Sequence, residues 1–333
     1  MFTMSKKNII ISAVILVLVI IMVNAVINLL SPSNTPYISG GSDELSYSDV
    51  REYLKKVDFS THKSDEFFKD NLVNKYTLKF FKYLQESFKD IDAVRKYLYS
   101  SMEPEKAEKL LEIYKKYLDY EKRLASEINN LKDLKTTEDF LGVLAKMRKM
   151  QVETFGEKDA DMLFGASLKS QEYPIRRAGI VSDQNLYGRE KEDKIKQLNK
   201  DMWGNDTDEV EKNRKPYARY TEKIETYSKD LKEMSDADKA NKIKQFREET
   251  FTPDVVQRLE EVDKTMDAEK QKELAYASAL KEIQNDKELS EDQKKEKILN
   301  LQNSTFGEEA DSFRRREDME KQKIEMMNKY KSN

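Results

Sequence analysis

Residues 9–30, IIISAVILVLVIIMVNAVINLL, form a run of 22 residues without a formal charge, preceded by Lys6 and Lys7. As a helix the run would measure about 33 Å, enough to cross the hydrocarbon layer of a bilayer. It is read as a transmembrane anchor. Cations before the run and none directly after it put residues 1–8 in the cytoplasm and the chain from Ser31 onward outside. A cleavable signal peptide is the alternative, with VNA at 23–25 as its cleavage motif. Against it, the apolar residues continue to Leu30, and the run is longer than a signal-peptide core.

That run consumes apolar residues that a soluble core would otherwise use. The chain has 333 residues, of which 38% are hydrophobic and 37% charged, with only nine Gly and six Pro. Such a composition favours long solvated helices over sheets, and several small cores over one large one. Cysteine is absent, which excludes disulfides and thiol chemistry. His62 is the single histidine, too little for a His-rich metal site or a catalytic triad. Acids are spread along the chain from Asp43 onward and single out no acid–base pair. No glycine-rich phosphate loop is present, and basic residues alternate with acids instead of forming a stripe that nucleic acid would require. The expectation is a non-enzyme with no cofactor, metal, nucleotide or nucleic-acid partner.

Residues 31–47, SPSNTPYISGGSDELSY, read as a flexible tether. Helical periodicity then dominates. The stretch 62–88 carries Phe67, Phe68, Leu72, Val73, Tyr76, Phe80, Phe81, Tyr83, Leu84 and Phe88 on a broad apolar face. A short helix over 91–100 follows, then one over 104–128 that starts near Pro104 and repeats Leu110, Leu111, Tyr114, Tyr117, Leu118 and Leu124. These helices make a small bundle. Beyond about residue 130 charge rises, and the segment 188–215 reads as polar helix that bridges globules or lies along a partner.

Three short segments recur: ETFGEKDADMLF at 153–164, ETFTPDVVQRLE at 249–260 and STFGEEADSFRR at 304–315. In each, a Phe precedes a residue suited to cap a helix, and acids or proline follow in the first turn. The corners are Phe155 with Gly156, Phe251 with Pro253, and Phe306 with Gly307. The Phe is placed to staple onto the fourth helical residue, Ala160 or Val256, but in the third copy Asp311 stands at that place. Residues 235–251 and 290–306 also superpose without a gap, each opening on a serine placed for a capping box. Sustained heptads of a straight coiled coil are not found.

Anchor, tether, aromatic helix, charged helical middle and Phe corners together resemble the bacterial lipase chaperones, or lipase-specific foldases. The stretches most similar to that family are LAKMRKMQVETFGEKDADMLFG at 144–165, YPIRR at 173–177 and LSEDQKKEKILNLQNSTFGEEADSFRRRE at 289–317. The family's signature, Arg-x-x-Phe-Asp-Tyr-(Phe/Cys/Tyr)-Leu-Ser-Ala-x-Gly-Glu, meets TLKFFKYLQESFK at Phe80, Tyr83 and Leu84. It departs at Thr77, Phe81, Lys82, Gln85, Glu86, Phe88 and Lys89.

The resemblance implies an all-α chain: a transmembrane helix at 9–30, a mini-domain at 48–130, an extended curved helical domain at 131–255 and a second mini-domain at 256–333. It implies a steric chaperone of the bacterial inner membrane, single-pass, with its C-terminal part in the periplasm. The implied partner is a newly exported lipase, held 1:1 and then passed to secretion. Phe80, Phe81, Lys82, Tyr83 and Leu84 are the implied partner-binding residues. Periodicity alone reads Phe80, Tyr83 and Leu84 as one helix face, either core or docking surface. The alternative function is a membrane-tethered helical scaffold without folding activity.

Overall fold

The computed structural model describes residues 37–38, 45–60, 64–129 and 134–331. The apolar run 9–30, residues 1–8, His62 and most of 31–47 lie outside the described residues. Among the described residues every regular element is helical, and no helix is long and apolar enough to cross a membrane. The chain divides between Thr250 and Phe251 into two compact units.

The first unit opens with α1 (Tyr47–Leu54), α2 (Ser64–Phe67), α3 (Thr77–Ser87), α4 (Ile91–Ser101), α5 (Pro104–Asn129), α6 (Thr137–Phe155) and α7 (Glu157–Ser182). The apolar stretch 62–88 is not one helix. It breaks between Phe67 and Thr77 because short polar side chains compete for the backbone there. Asn74 Nδ2 donates to the Phe67 carbonyl at 2.8 Å, and its own N–H donates to Thr77 Oγ1 at 2.9 Å. The Val73 N–H donates to Asn71 Oδ1 at 3.0 Å. The apolar residues on both sides of the break still meet. Phe68, Val73, Phe80, Phe81 and Leu84 pack with Leu110, Leu111, Tyr114, Tyr117 and Leu124 of α5. This core runs on past residue 130, taking in Phe140, Leu141 and Leu144 of α6 and Leu163, Leu168 and Ile175 of α7.

A second core lies on the other side of α7, formed with α1, α8 (Gly188–Trp203) and α9 (Thr207–Lys212). The segment expected to be a polar bridge is thereby corrected. In α8, Lys191, Ile195, Leu198, Asn199, Met202 and Trp203 recur at helical spacing and are all buried. Two of the six are polar, so an apolar count missed the face. Lys191 enters at the cost of a hydrogen bond it must make, Nζ to the Val181 carbonyl at 2.7 Å. Helices α10 (Pro216–Thr226), α11 (Ser228–Glu233) and α12 (Asp236–Thr250) complete the unit. There the Tyr227 ring lies so close to Gly188 that a Cβ would meet it at 2.2 Å.

The second unit consists of α13 (Pro253–Asn285), α14 (Glu291–Phe306) and α15 (Ala310–Lys331). Its core is small: Tyr276, Phe306 and Ala310, joined by half-buried Leu280, Leu301 and Phe313. Ser290 and Gln293 form the expected capping box at the start of α14, and Ser235 caps Asp238 at the start of α12.

Candidate functional site

Helix α3 places the five expected partner-binding residues in two environments. Phe80, Phe81 and Leu84 are fully buried. Phe81 sits between Tyr114 and Tyr117, with ring centroids at 5.2 and 5.3 Å, and Phe80 lies 5.1 Å from Phe68. Tyr83 is half-buried against Phe59, Phe88 and Tyr97, while Lys82 is exposed.

Beside this helix lies a cavity of about 270 Å³ whose lining includes Lys79, Lys82, Tyr117, Glu121, Gln151 and Phe164. Glu121 accepts from Tyr117 Oη at 2.7 Å and from Gln85 Nε2 at 2.5 Å. Burial pushes its carboxyl above the ordinary range, against the opposing effect of those hydrogen bonds.

The Phe corners take three forms. Gly156 has φ +79°, a conformation open to glycine, and serves as the joint of α6 and α7. Phe155 is pinned there by rings, at 6.0 Å from Tyr120 and 5.5 Å from Phe164. At the second corner α12 ends at Thr250 and α13 starts at Pro253, in the first-turn place expected for proline. Thr252 supplies the N-cap backbone, but its hydroxyl bonds Asp254 at 2.5 Å instead of capping. In the third, Gly307 has φ +53° and opens a 3-10 turn, Gly307–Glu309, before α15 begins at Ala310. That turn is the physical form of the register break seen around Asp311. Phe306 stacks on Phe313 at 3.9 Å, with Tyr276 edge-on to both at 5.1 Å.

Sequence reasoning quoted YPIRR but missed what it builds. Arg177 is buried and holds two acids: Nη1 donates to Glu211 at 2.7 Å, and Nη2 and Nε grip Glu222 at 2.7 and 3.0 Å. Arg214 grips the same Glu222 with two donors, at 2.8 and 2.7 Å. Tyr173 Oη and Asn199 Oδ1 close the network at 2.7 Å. Burial pushes the Glu211 and Glu222 carboxyls up, but Arg177 and Arg214 outweigh it and hold both below the ordinary range. One turn earlier the buried Glu172 and Arg176 form a pair at 2.7 Å. The available signal was spacing: Lys169, Glu172 and Arg176 share the face of a helix that is otherwise packed.

A different kind of surface lies on α13. Leu259, Val262 and Met266 fall at i, i+3 and i+7, hence on one face. Val262 and Met266 are 53% and 64% exposed, and none of the three joins a core cluster. The acids and bases around them, Arg258, Glu261, Lys264 and Glu269, give the stripe a mixed charged rim. Among the described residues no group of His, Cys, Asp or Glu is arranged to hold a metal. The arrangement offers exposed binding surface and sharply turned helix corners.

The family model described as proteobacterial lipase chaperone protein matches residues 113–311, more than half of the chain. No curated protein and no solved structure matches. The matched region holds all three Phe corners, the Arg177 network and the α13 stripe. Residues 80–84 lie before it.

Proposed function

This chain belongs to the proteobacterial lipase chaperone family, and from that premise we propose that it is a lipase-specific foldase, tethered to the inner membrane and working on a lipase in the periplasm. The family is one of folding helpers and not of catalysts. The apolar run 9–30 with its preceding lysines supports the anchor and its orientation. Retention by the anchor would keep the chaperone behind when the lipase moves on to secretion.

The observation that carries the reading is the family match across both compact units. Ring-pinned helix corners and an exposed apolar stripe on α13 are the physical means. With no nucleotide site in the sequence, acceleration must come from binding free energy. Each 1.36 kcal/mol by which the chain favours the folding transition state over a trapped form speeds folding about tenfold. A single lipase held by both units would spread that energy over many modest contacts, which permits release. The exposed Val262 and Met266 give apolar anchor points within a charged rim.

The test is complex formation. A lipase from the same organism, diluted from denaturant, should co-migrate 1:1 with the chain in analytical ultracentrifugation. Val262→Asp with Met266→Asp should weaken that complex at least tenfold while leaving the melting of the chain itself unchanged, because neither residue is in a core. A complex of unchanged strength would remove the α13 stripe from the interface. No complex at all would leave the scaffold alternative standing.

A further inference from the structure

The cavity of about 270 Å³ beside α3 is walled by α5, α6 and α7 and rimmed by α1 and α3. From α5 come Glu121, Leu124 and Ile128, at i, i+3 and i+7, hence on one face. Helix α6 contributes Met147 and Gln151, and α7 contributes Phe164 and Leu168. Exposed Leu54 and Lys82, with half-exposed Lys79, mark the rim. Two acceptors in this lining lack what a buried acceptor needs. Glu121 is 7% exposed and takes one hydrogen bond on each oxygen, from Tyr117 and Gln85, but among the described residues no ion pair neutralises it. Gln151 is 2% exposed. Its Nε2 donates to Tyr120 Oη at 3.0 Å, while its Oε1 receives no hydrogen bond from the described residues. A buried acceptor without a donor is costly, and a guest that carries a donor relieves that cost.

We infer that this cavity is a binding site for a small neutral amphiphile, a short alkyl chain with a hydroxyl head. The charges in the lining select against charged guests. A carboxylate would meet Glu121, and an ammonium would meet Lys79 and Lys82. A hydroxyl brings no charge and can donate to Gln151 Oε1 or to Glu121. The remaining lining suits a chain. Leu124 and Ile128 carry apolar surface for about 10 Å along α5 from Glu121, and Met147, Phe164 and Leu168 supply the other walls. The space is at the small end for ligand sites, which limits the chain to a short one, and the interior between helices of a bundle is a usual place for such a ligand. Short alcohols and partial esters of glycerol belong to this class. The site needs neither the anchor nor the client.

Methionine methyl NMR reads the cavity directly, because Met147 lines it. The full chain is prepared with labelled methionine methyls, Met147→Leu assigns the signal, and hexanol, hexanoate and hexylammonium are titrated in turn. The expected result is a saturable shift of the Met147 methyl with hexanol, at an affinity about tenfold or more above that for either ion. Gln151→Met removes the orphaned carbonyl and should weaken hexanol binding by a similar factor. Ser167→Phe, at a half-buried position in the lining, should fill the space and abolish the shift. Should Gln151→Met fail to fold, the three titrations of the parent and the Ser167→Phe variant decide the matter. No saturable shift with hexanol overturns the inference, as does an ion that binds as tightly as hexanol. Unchanged hexanol affinity in folded Gln151→Met, or an unchanged shift in Ser167→Phe, overturns it as well.

Discussion

Phe306, Phe313 and Tyr276 are three rings that pack together at the centre of the second unit's small core. Truncating Phe306 to Ala should cost about 3 kcal/mol, the lower range for buried aromatic truncations. Because this core is so small, the loss should appear as early hydrogen exchange across 291–306, with the first unit untouched. The buried Glu121 and the half-buried Glu222 carry opposite pH signatures. Glu222 titrates below its ordinary 4.5 in the folded chain, so its stabilisation is present above that pH and fades as pH falls through the lowered value. Glu121 titrates above 4.5, so its contribution is full at low pH and fades as pH rises through the raised value. Denaturation midpoints measured from pH 3 to pH 8 check both signs. Glu222→Gln should flatten the acid limb, and Glu121→Gln should raise stability more at pH 8 than at pH 4.

At the scale of elements, the aromatic helix α3 is a core helix with a narrow exposed edge. Tyr83→Ala removes a half-buried ring that touches Phe59, Phe88 and Tyr97, so it should lower thermal stability measurably. Lys82→Glu leaves the core intact. It should alter lipase activation without altering melting if this edge meets the client, and equal activation by parent and variant would exclude that edge. Several elements were legible because one local rule decided them: the serine caps of α12 and α14, Pro104 opening α5, and Gly156 as the cap that starts α7. Gly307, placed by the same rule as the cap of the last helix, opens a 3-10 turn instead, and α15 starts only at Ala310. Others were decided by tertiary context. The break at 68–76 needed Asn71 and Asn74 to win backbone groups from a continuous apolar face. Helix α8 looked solvated because Lys191 and Asn199 occupy buried places, and their partners, Val181 and Tyr173, belong to a different helix. The Arg177 network draws on four helices, and no sequence window spans Arg177, Asn199, Glu211 and Glu222 together.

At the scale of the molecule, small cores joined by long helices follow from composition. A chain this rich in charge cannot fill one large interior, and what it leaves exposed, such as the α13 stripe, is available to a partner. Family membership implies a lipase as the partner of the chain, and on the proposed foldase reading binding energy is the means of action. The most direct measurement follows recovered ester hydrolysis after a denatured lipase from the same organism is diluted with and without the chain. The account predicts little activity from the lipase alone, and an activation rate that rises with chain concentration and then saturates, as binding before folding requires. Equal recovery in both samples, at every concentration, would contradict it.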